Sequence, residues 1–369
     1  MSTKTKIGFI VGGWGPMGHC LVSRNFRNAL EGEFETHVFA SKNYRPGGKL
    51  IQTKNKDWNI PRLVFGGFPF QHFGTHKEEI RDWIEENNIE LVVFNEMFNW
   101  GFVDYCKQFT KVATYLDYFN EEWFEKLGVY DLILISTKRT FDVFRDWDTA
   151  RYIPWGIDTD LFKPQEPDGV EKSTFFHSAG WGGYNWRKNT PLVLRAFYEL
   201  RDEGFTYFLH SQIESYPEET ANLIEEMSNG GQLKVYVGSV SWPGLYHYGE
   251  VQVCPTKLEG LGMFLPEGLS VGLPAITTDA SPMNEFVDDE YNGLLVKTTG
   301  SRRRRDYGGS YYFPEYFVNF QDLKEKIKEL GHNNELRKEM GRNAREFIKK
   351  YHSFDIFRKK SIEAINSIL

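Results

Sequence analysis

The stretch Pro255-Thr256-Lys257-Leu258-Glu259-Gly260-Leu261-Gly262-Met263-Phe264-Leu265-Pro266-Glu267 holds the densest set of chemically suggestive residues in the chain. A strand ends at Cys254-Pro255, a glycine-rich loop follows, and a helix opens with Pro266 in its first turn, where proline is tolerated. Amides of Gly262 to Leu265, free at such a helix start, would form an anion site. Glu259 and Glu267 flank that loop eight residues apart. A carboxylate repels a phosphate, so these acids suit sugar or ribose hydroxyls. On the plainer reading, Glu267 only complements the helix dipole.

Gly13-Trp14-Gly15-Pro16-Met17-Gly18 fits the dinucleotide fingerprint G-x-G-x-x-G between a strand and a helix. The second strand ends in Phe39-Ala40-Ser41-Lys42, without the ribose-binding acid, and Pro16 removes a backbone amide. A nicotinamide oxidoreductase is therefore a weak reading. What survives is a tight turn at the sheet's carboxyl edge that could receive a substrate through Gly13, Trp14 and Gly15.

Asp158-Thr159-Asp160 has the spacing of a metal-binding acid pair but sits before an apolar pair, as a turn or helix cap does. His72 and His76 have helical spacing, yet Gly74 lies between them, so no metal site is expected. Arg302-Arg303-Arg304-Arg305 reads as a solvated, mobile loop, with a phosphate grip on lipid or nucleic acid as the alternative.

The elements that must position these residues alternate in type. Apolar strand-length runs at Ile7–Val11, Thr36–Ala40, Leu63–Phe65, Glu90–Phe94, Lys111–Tyr115 and Leu132–Ser136 are separated by amphipathic helical stretches, the pattern of a parallel α/β sheet. After a Pro-, Gly- and charge-bearing linker from Phe162 to Gly169, the pattern restarts. Strands are expected at Thr174–Ser178, Tyr207–His210, Lys234–Val237, Val251–Cys254 and Ala275–Thr278. Helices are expected at Pro191–Glu203, Pro266–Val271, Leu323–Leu330 and Glu335–Tyr351, and from Phe354 to the end.

With 369 residues, the chain has room for two domains. Its net charge of −7 argues against nonspecific nucleic-acid binding without excluding a local basic groove. Three separated cysteines, Cys20, Cys106 and Cys254, offer neither a disulfide framework nor a zinc knuckle. No apolar run reaches membrane-span length. The N-terminus carries no signal peptide, so a cytoplasmic protein is expected, peripheral on the inner face of the membrane if the arginine run binds lipid. Part of the 16% aromatic content must be core, but sugar-binding and membrane-facing clefts are aromatic too.

The Glu259–Glu267 segment resembles the E-x7-E region of retaining glycosyltransferases of the GT-B fold, glycosyltransferase family four. Asn284-Glu285-Phe286-Val287 with Asn292-Gly293-Leu294-Leu295-Val296 is similar to the strand and turn that follow it there. Leu336 to Ala344 resembles the family's penultimate helix. Ile153 to Asp158 with Phe162-Lys163-Pro164 is similar to its hinge.

The resemblance implies a GT-B fold, with two Rossmann-like doubly wound domains facing across a cleft. Residues 1–163 would bind acceptor and 164–350 a nucleotide-sugar donor, with 351–369 a helix packing back on the first domain. It places a basic pair on the donor diphosphate. Lys188 fits the lysine, whereas Trp181 replaces the usual arginine, so Arg187 would supply the second charge. By the same resemblance Glu267 holds the ribose hydroxyls, and Glu259 holds the transferred sugar or its phosphate. Gly260, Leu261, Gly262, Met263, Phe264 and Leu265 lie along the donor. Asn189 or Thr190 would cap the next helix. The family's first-domain histidine is absent from Thr114-Tyr115-Leu116-Asp117-Tyr118, leaving Asp117 in its place.

The expected activity is retaining transfer of a hexose from a UDP- or GDP-sugar to a glycan, a lipid-linked acceptor or another glycoconjugate. It would need no metal and no other cofactor. A DNA-base-modifying transferase and a non-catalytic sugar-nucleotide or glycan-binding protein are the alternatives. Acceptor contacts are expected among Trp14, Phe68, Phe70, Phe73, Phe98, Trp100, Tyr118, Phe119 and Trp123, several of which a Phe-rich core would claim.

Overall fold

The computed structural model describes residues 4–15, 18–41, 58–67, 70–167, 169–180, 187–212, 216–240, 242–306 and 309–369. The chain divides into two units. The first comprises Met1–Gly156, Asp306–Tyr312 and Phe354–Leu369, and the second Ile157–Arg305 and Phe313–Ser353. The two-domain α/β architecture expected from the alternating pattern is present.

The first unit is built on strands β1 (Lys6–Val11), β2 (Glu35–Ala40), β3 (Leu63–Phe65), β4 (Leu91–Asn95), β5 (Lys111–Tyr115), β6 (Leu132–Ile135) and β7 (Ala150–Tyr152). They pair in parallel in the order β3-β2-β1-β4-β5-β6-β7. The order reverses between β1 and β4, so the loops after those strands flank the crevice where such sheets take ligands. Runs such as Leu91-Val92-Val93-Phe94 are uniformly buried, because a parallel sheet is covered on both faces. Helices α1 (Gly18–Leu30), α2 (Lys77–Asn87), α3 (Trp100–Cys106) and α4 (Lys138–Phe144) supply the covering. Phe26 of α1 packs against Phe357 at 4.7 Å between ring centres. β7, read as Ala-Arg-Tyr, is a seventh strand that apolar patterning does not reveal.

The second unit contains β8 (Ser173–Gly180), β9 (Tyr207–Ser211), β10 (Leu233–Val237), β11 (Gly249–Cys254), β12 (Ala275–Thr278) and β13 (Gly293–Val296). They pair in parallel in the order β10-β9-β8-β11-β12-β13. Helices α5 (Thr190–Glu199), α6 (Glu218–Asn229), α7 (Phe264–Ser270), α8 (Phe320–His332) and α9 (Asn334–Tyr351) follow, and α10 (Phe354–Asn366) closes the chain in the first unit. Phe197 stacks on Tyr207 at 4.0 Å in the core of this unit, where truncation to Ala would cost about 3–5 kcal/mol.

Thr298–Arg302 pairs antiparallel with Glu315–Val318. This corrects the expectation of a mobile loop at Arg302. Its guanidinium donates from Nε to Glu315 Oε1 at 2.9 Å, and Glu315 is only 1% exposed. A buried carboxylate needs such a partner. Among the described residues no helix is long and apolar enough to cross a membrane.

Candidate functional site

The segment that leaves β8 resumes description at Arg187, the Trp181–Trp186 part lying outside the described residues. Two bonds stitch its end onto the loop after the neighbouring β11, and His177 of β8 ties β11 itself to the start of α5. The Lys257 amide donates to the Arg187 carbonyl at 2.8 Å. Asn189, held at φ +60°, donates from Nδ2 to the Pro255 carbonyl at 3.1 Å. His177 donates from Nδ1 to the Val253 carbonyl at 2.7 Å and accepts the Thr190 hydroxyl at Nε2, 2.8 Å away. Burial pushes its pKa down to about 4, so the ring is neutral and can make both bonds. Asn189 occupies the N-cap position of α5, one of the two positions expected, but its side chain anchors the loop and makes no cap bond.

On this frame the basic pair and the first acid of the glycine-rich loop meet. Lys188 Nζ donates to Glu259 Oε1 at 2.8 Å, and the Arg187 guanidinium pairs with Glu259 Oε2. Lys188 is 7% exposed and Glu259 2%. Burial lowers the Lys188 pKa to about 8; Glu259 opposes that shift and Arg187 adds to it. The Lys188 ammonium also lies 3.3 Å from the Phe264 ring centre, a cation–π contact.

Gly262, at φ +78°, turns the loop where a side chain would be strained. Helix α7 then runs from Phe264, two residues earlier than expected, with Pro266 inside its first turn. The Leu265 amide is already taken by the Gly262 carbonyl at 2.9 Å, so it is not among the free amides that the sequence suggested. Glu267 accepts a 2.6 Å hydrogen bond from the Tyr246 hydroxyl. Burial lifts its pKa to about 7, while Tyr246 and then Lys188 pull it down. Gly260 and Leu261 are buried in the same turn. Donor-side residues proposed from sequence therefore gather in the second unit.

Gly13, Trp14, Gly15 and Asp117 lie in the first unit. Pro16 and Met17 are outside the described residues. Trp14 turns inward, 3% exposed, with Nε1 donating to the Trp58 carbonyl at 2.9 Å and its ring edge-on to Trp58. It is core, not an exposed contact. Asp117 is 6% exposed. Its amide and that of Tyr118 both donate to Glu96 Oε1, at 3.1 and 2.7 Å. Glu96 sits after β4 at φ +51°, and burial raises its pKa to about 7 against the pull of those two amides. Phe73 and Phe119 are also core, each 1% exposed. Phe98, Trp100, Tyr118 and Trp123 remain half-buried. Phe68 is outside the described residues, and so is the side chain of Phe70.

Asp158 Oδ1 accepts the amides of Asp160 and Leu161, at 3.1 and 3.0 Å, so the Asp-Thr-Asp run is a turn. Among the described residues no three His, Cys, Asp or Glu side chains are grouped to hold a metal ion.

His177, Tyr246 and Glu96 escaped the sequence reading. Each acts through a residue far along the chain, and no local spacing announces such a partnership.

Two parallel doubly wound sheets, the second carrying this basic and acidic cluster on its carboxyl-edge loops, place the chain among proteins of the GT-B fold. Residues 178–302 match the family described as glycosyl transferases group 1. An uncharacterized glycosyltransferase of Methanocaldococcus jannaschii is 39% identical over 99 residues, which is 27% of this chain. That match spans 23% of the relative's length, about a quarter of it. Among solved structures, a glycosyltransferase from Rickettsia africae superposes with a TM-score of 0.77 at 15% identity, covering 100% of this chain and 99% of its own. Anabaena HepE in complex with UDP-glucose superposes with a TM-score of 0.74 at 14% identity, covering 98% of this chain and 99% of its own.

Proposed function

We propose that the protein transfers a hexose from a nucleoside diphosphate donor to a glycan or other glycoconjugate acceptor, with retention of anomeric configuration. The observation that carries this reading is the cluster of buried Lys188 and Glu259 with half-buried Arg187, beside Phe264. Two cations against one carboxylate leave one positive charge in excess, on a stretch that matches group 1 glycosyl transferases. Negative charge grows on the diphosphate as the glycosidic bond breaks, and fixed cations stabilise it there. Lys188 and Arg187 supply that charge, so the proposed transfer needs no divalent metal. Glu267 accepts from the ribose hydroxyls, with Tyr246 holding it in place. Glu259 orients both cations and reaches the transferred sugar. The bound UDP-glucose of HepE, a protein of the same fold, supports a uridine donor as the first to try.

The test is calorimetry of UDP and GDP in chelator against wild type and Lys188→Ala, followed by NMR of the product anomer. One nucleotide binding at micromolar Kd, with binding lost in the variant, is the expected result. A folded wild type that binds neither nucleotide overturns the donor site. An inverted product anomer overturns the retaining assignment.

A further inference from the structure

We infer that the aromatic patch formed by Phe98, Trp100 and Trp123 in the first unit is a stacking platform for an uncharged sugar ring. It would be the acceptor subsite of the transfer proposed above, and it rests on that reading for its role. Phe98 follows β4 and Trp123 follows the neighbouring β5, and their rings meet at 4.2 Å with planes 31° apart. Trp100 joins them at 5.8 Å from Phe98. All three stay half-buried, whereas Phe94, Phe102 and Phe119 nearby in the chain are fully core. Each ring keeps part of its surface accessible, and a group of large rings accessible at one place offers a face on which a ligand can stack.

The patch is held in shape before any ligand arrives. Glu96 fixes the start of the loop after β5 through the Asp117 and Tyr118 amides. Asn99 caps α3 by accepting the Phe102 amide at 3.2 Å. The Trp123 amide donates to the Asn120 carbonyl at 3.0 Å, closing a tight turn. Glu122 accepts the Ser310 amide at 3.2 Å, which fixes the residue beside Trp123.

The surrounding charge selects the ligand. Residues 117–126 carry Asp117, Glu121, Glu122 and Glu125 against Lys126 alone, and those three glutamates are exposed. Carboxylates accept hydrogen bonds from sugar hydroxyls, while the ring's C–H face lies on an aromatic plane. The same carboxylates repel the phosphates of an anionic lipid or a nucleic acid. A neutral glycan satisfies both the rings and the charge, and an anionic acceptor satisfies only the rings.

The full chain, without nucleotide, is tested on an array of neutral oligosaccharides, on anionic phospholipid vesicles and on single-stranded DNA. The proteins are wild type, Trp123→Ala and Trp123→Phe, with folding checked by circular dichroism and UDP affinity measured separately. Wild type is expected to retain at least one neutral oligosaccharide. Trp123→Ala should weaken it about tenfold, and Trp123→Phe should keep most of the affinity. UDP affinity should not change in either variant. Failure to retain any neutral oligosaccharide, equal retention by Trp123→Ala, or capture by vesicles or DNA alone overturns the platform. Loss of UDP binding in wild type with glycan binding kept would overturn the donor reading instead.

Discussion

Lys188 Nζ stands 2.8 Å from Glu259 Oε1 in a setting where both side chains are buried, and Arg187 takes the other carboxylate oxygen. Burying one cation, with a second half-buried beside it, is costly unless an anion faces them. Glu259 is that anion, so its first duty is to keep Lys188 charged. Glu259→Gln should leave the buried Lys188 ammonium beside the half-buried Arg187 guanidinium with no carboxylate between them, and cost about 3–5 kcal/mol of stability. The Lys188 pKa should fall below its value of about 8, since Glu259 is what raises it. Denaturant unfolding and the pH dependence of UDP affinity measure these two effects, and a variant as stable as wild type would remove Glu259 from this role.

The pH dependence of donor affinity follows from two shifted groups. Glu267, lifted to about 7, accepts from a ribose hydroxyl most strongly once it has lost its proton, because a charged acceptor makes the stronger bond. Lys188, lowered to about 8, must keep its proton to hold a phosphate. UDP affinity should therefore rise through about pH 7, fall through about pH 8 and give a narrow bell, its limbs belonging to the coupled pair. Glu267→Gln should remove the acid limb alone. Stability runs differently. Between pH 4.5 and 7 the folded chain binds the extra proton at Glu267, so stability falls as pH rises. Between pH 8 and 10.5 the unfolded chain binds the extra proton at Lys188, so stability rises with pH. Calorimetry across pH 6–9 checks the bell, and affinity flat over that range would contradict it.

Tyr246 offers a sharper test of how Glu267 is held. Its hydroxyl donates at 2.6 Å, and it is 8% exposed. Tyr246→Phe keeps the ring packing against Phe176 and Phe162 and deletes only the donor. A hydrogen bond to a charged group contributes about 1.5–3 kcal/mol, so donor KM should rise roughly tenfold or more with little change in kcat. Because that bond lowers the Glu267 pKa, the acid limb should also move to higher pH. A merely structural tyrosine would lower stability without moving the limb.

How much of this was legible in the sequence depends on how local each signal is. Uniform apolar runs such as Leu132–Ile135 identify parallel strands because both of their faces are covered. Ala150–Tyr152 carries an arginine and three residues only, and its place at the edge beside β6 comes from pairing, which no local pattern encodes. Thr298–Arg302 is exposed at every position, so its strand rests on Glu315–Val318 opposite. At the site, the spacing of Glu259 and Glu267 is visible within one loop. That Tyr246 reaches Glu267 from twenty-one residues upstream, or that His177 ties β11 to α5, is tertiary. The aromatic count pointed to a binding surface, but Trp14, Phe73 and Phe119 were claimed by the core because their strands and helices turn them inward.

Gly268 lies in α7, where an exposed Gly→Ala change would stabilise by about 1 kcal/mol through propensity. Here a Cβ would run into the side-chain amide of Gln252. Gln252 is fully buried, and its amide donates to the Leu265 carbonyl at 3.1 Å, joining β11 to the first turn of the helix. The glutamine can move aside only by leaving that carbonyl unsatisfied in an apolar setting. Overpacking of this kind costs about 1–3 kcal/mol, which outweighs the propensity gain. Gly268→Ala should therefore lower the Tm by several degrees and weaken UDP binding, since the helix start that carries Phe264 against Lys188 shifts with it. An unchanged or raised Tm would show that the Gln252 bond does not hold the helix. Pairing Gly268→Ala with Gln252→Ala provides the control. If the clash is the cause, the second substitution should make the first nearly neutral, and the two effects should be non-additive.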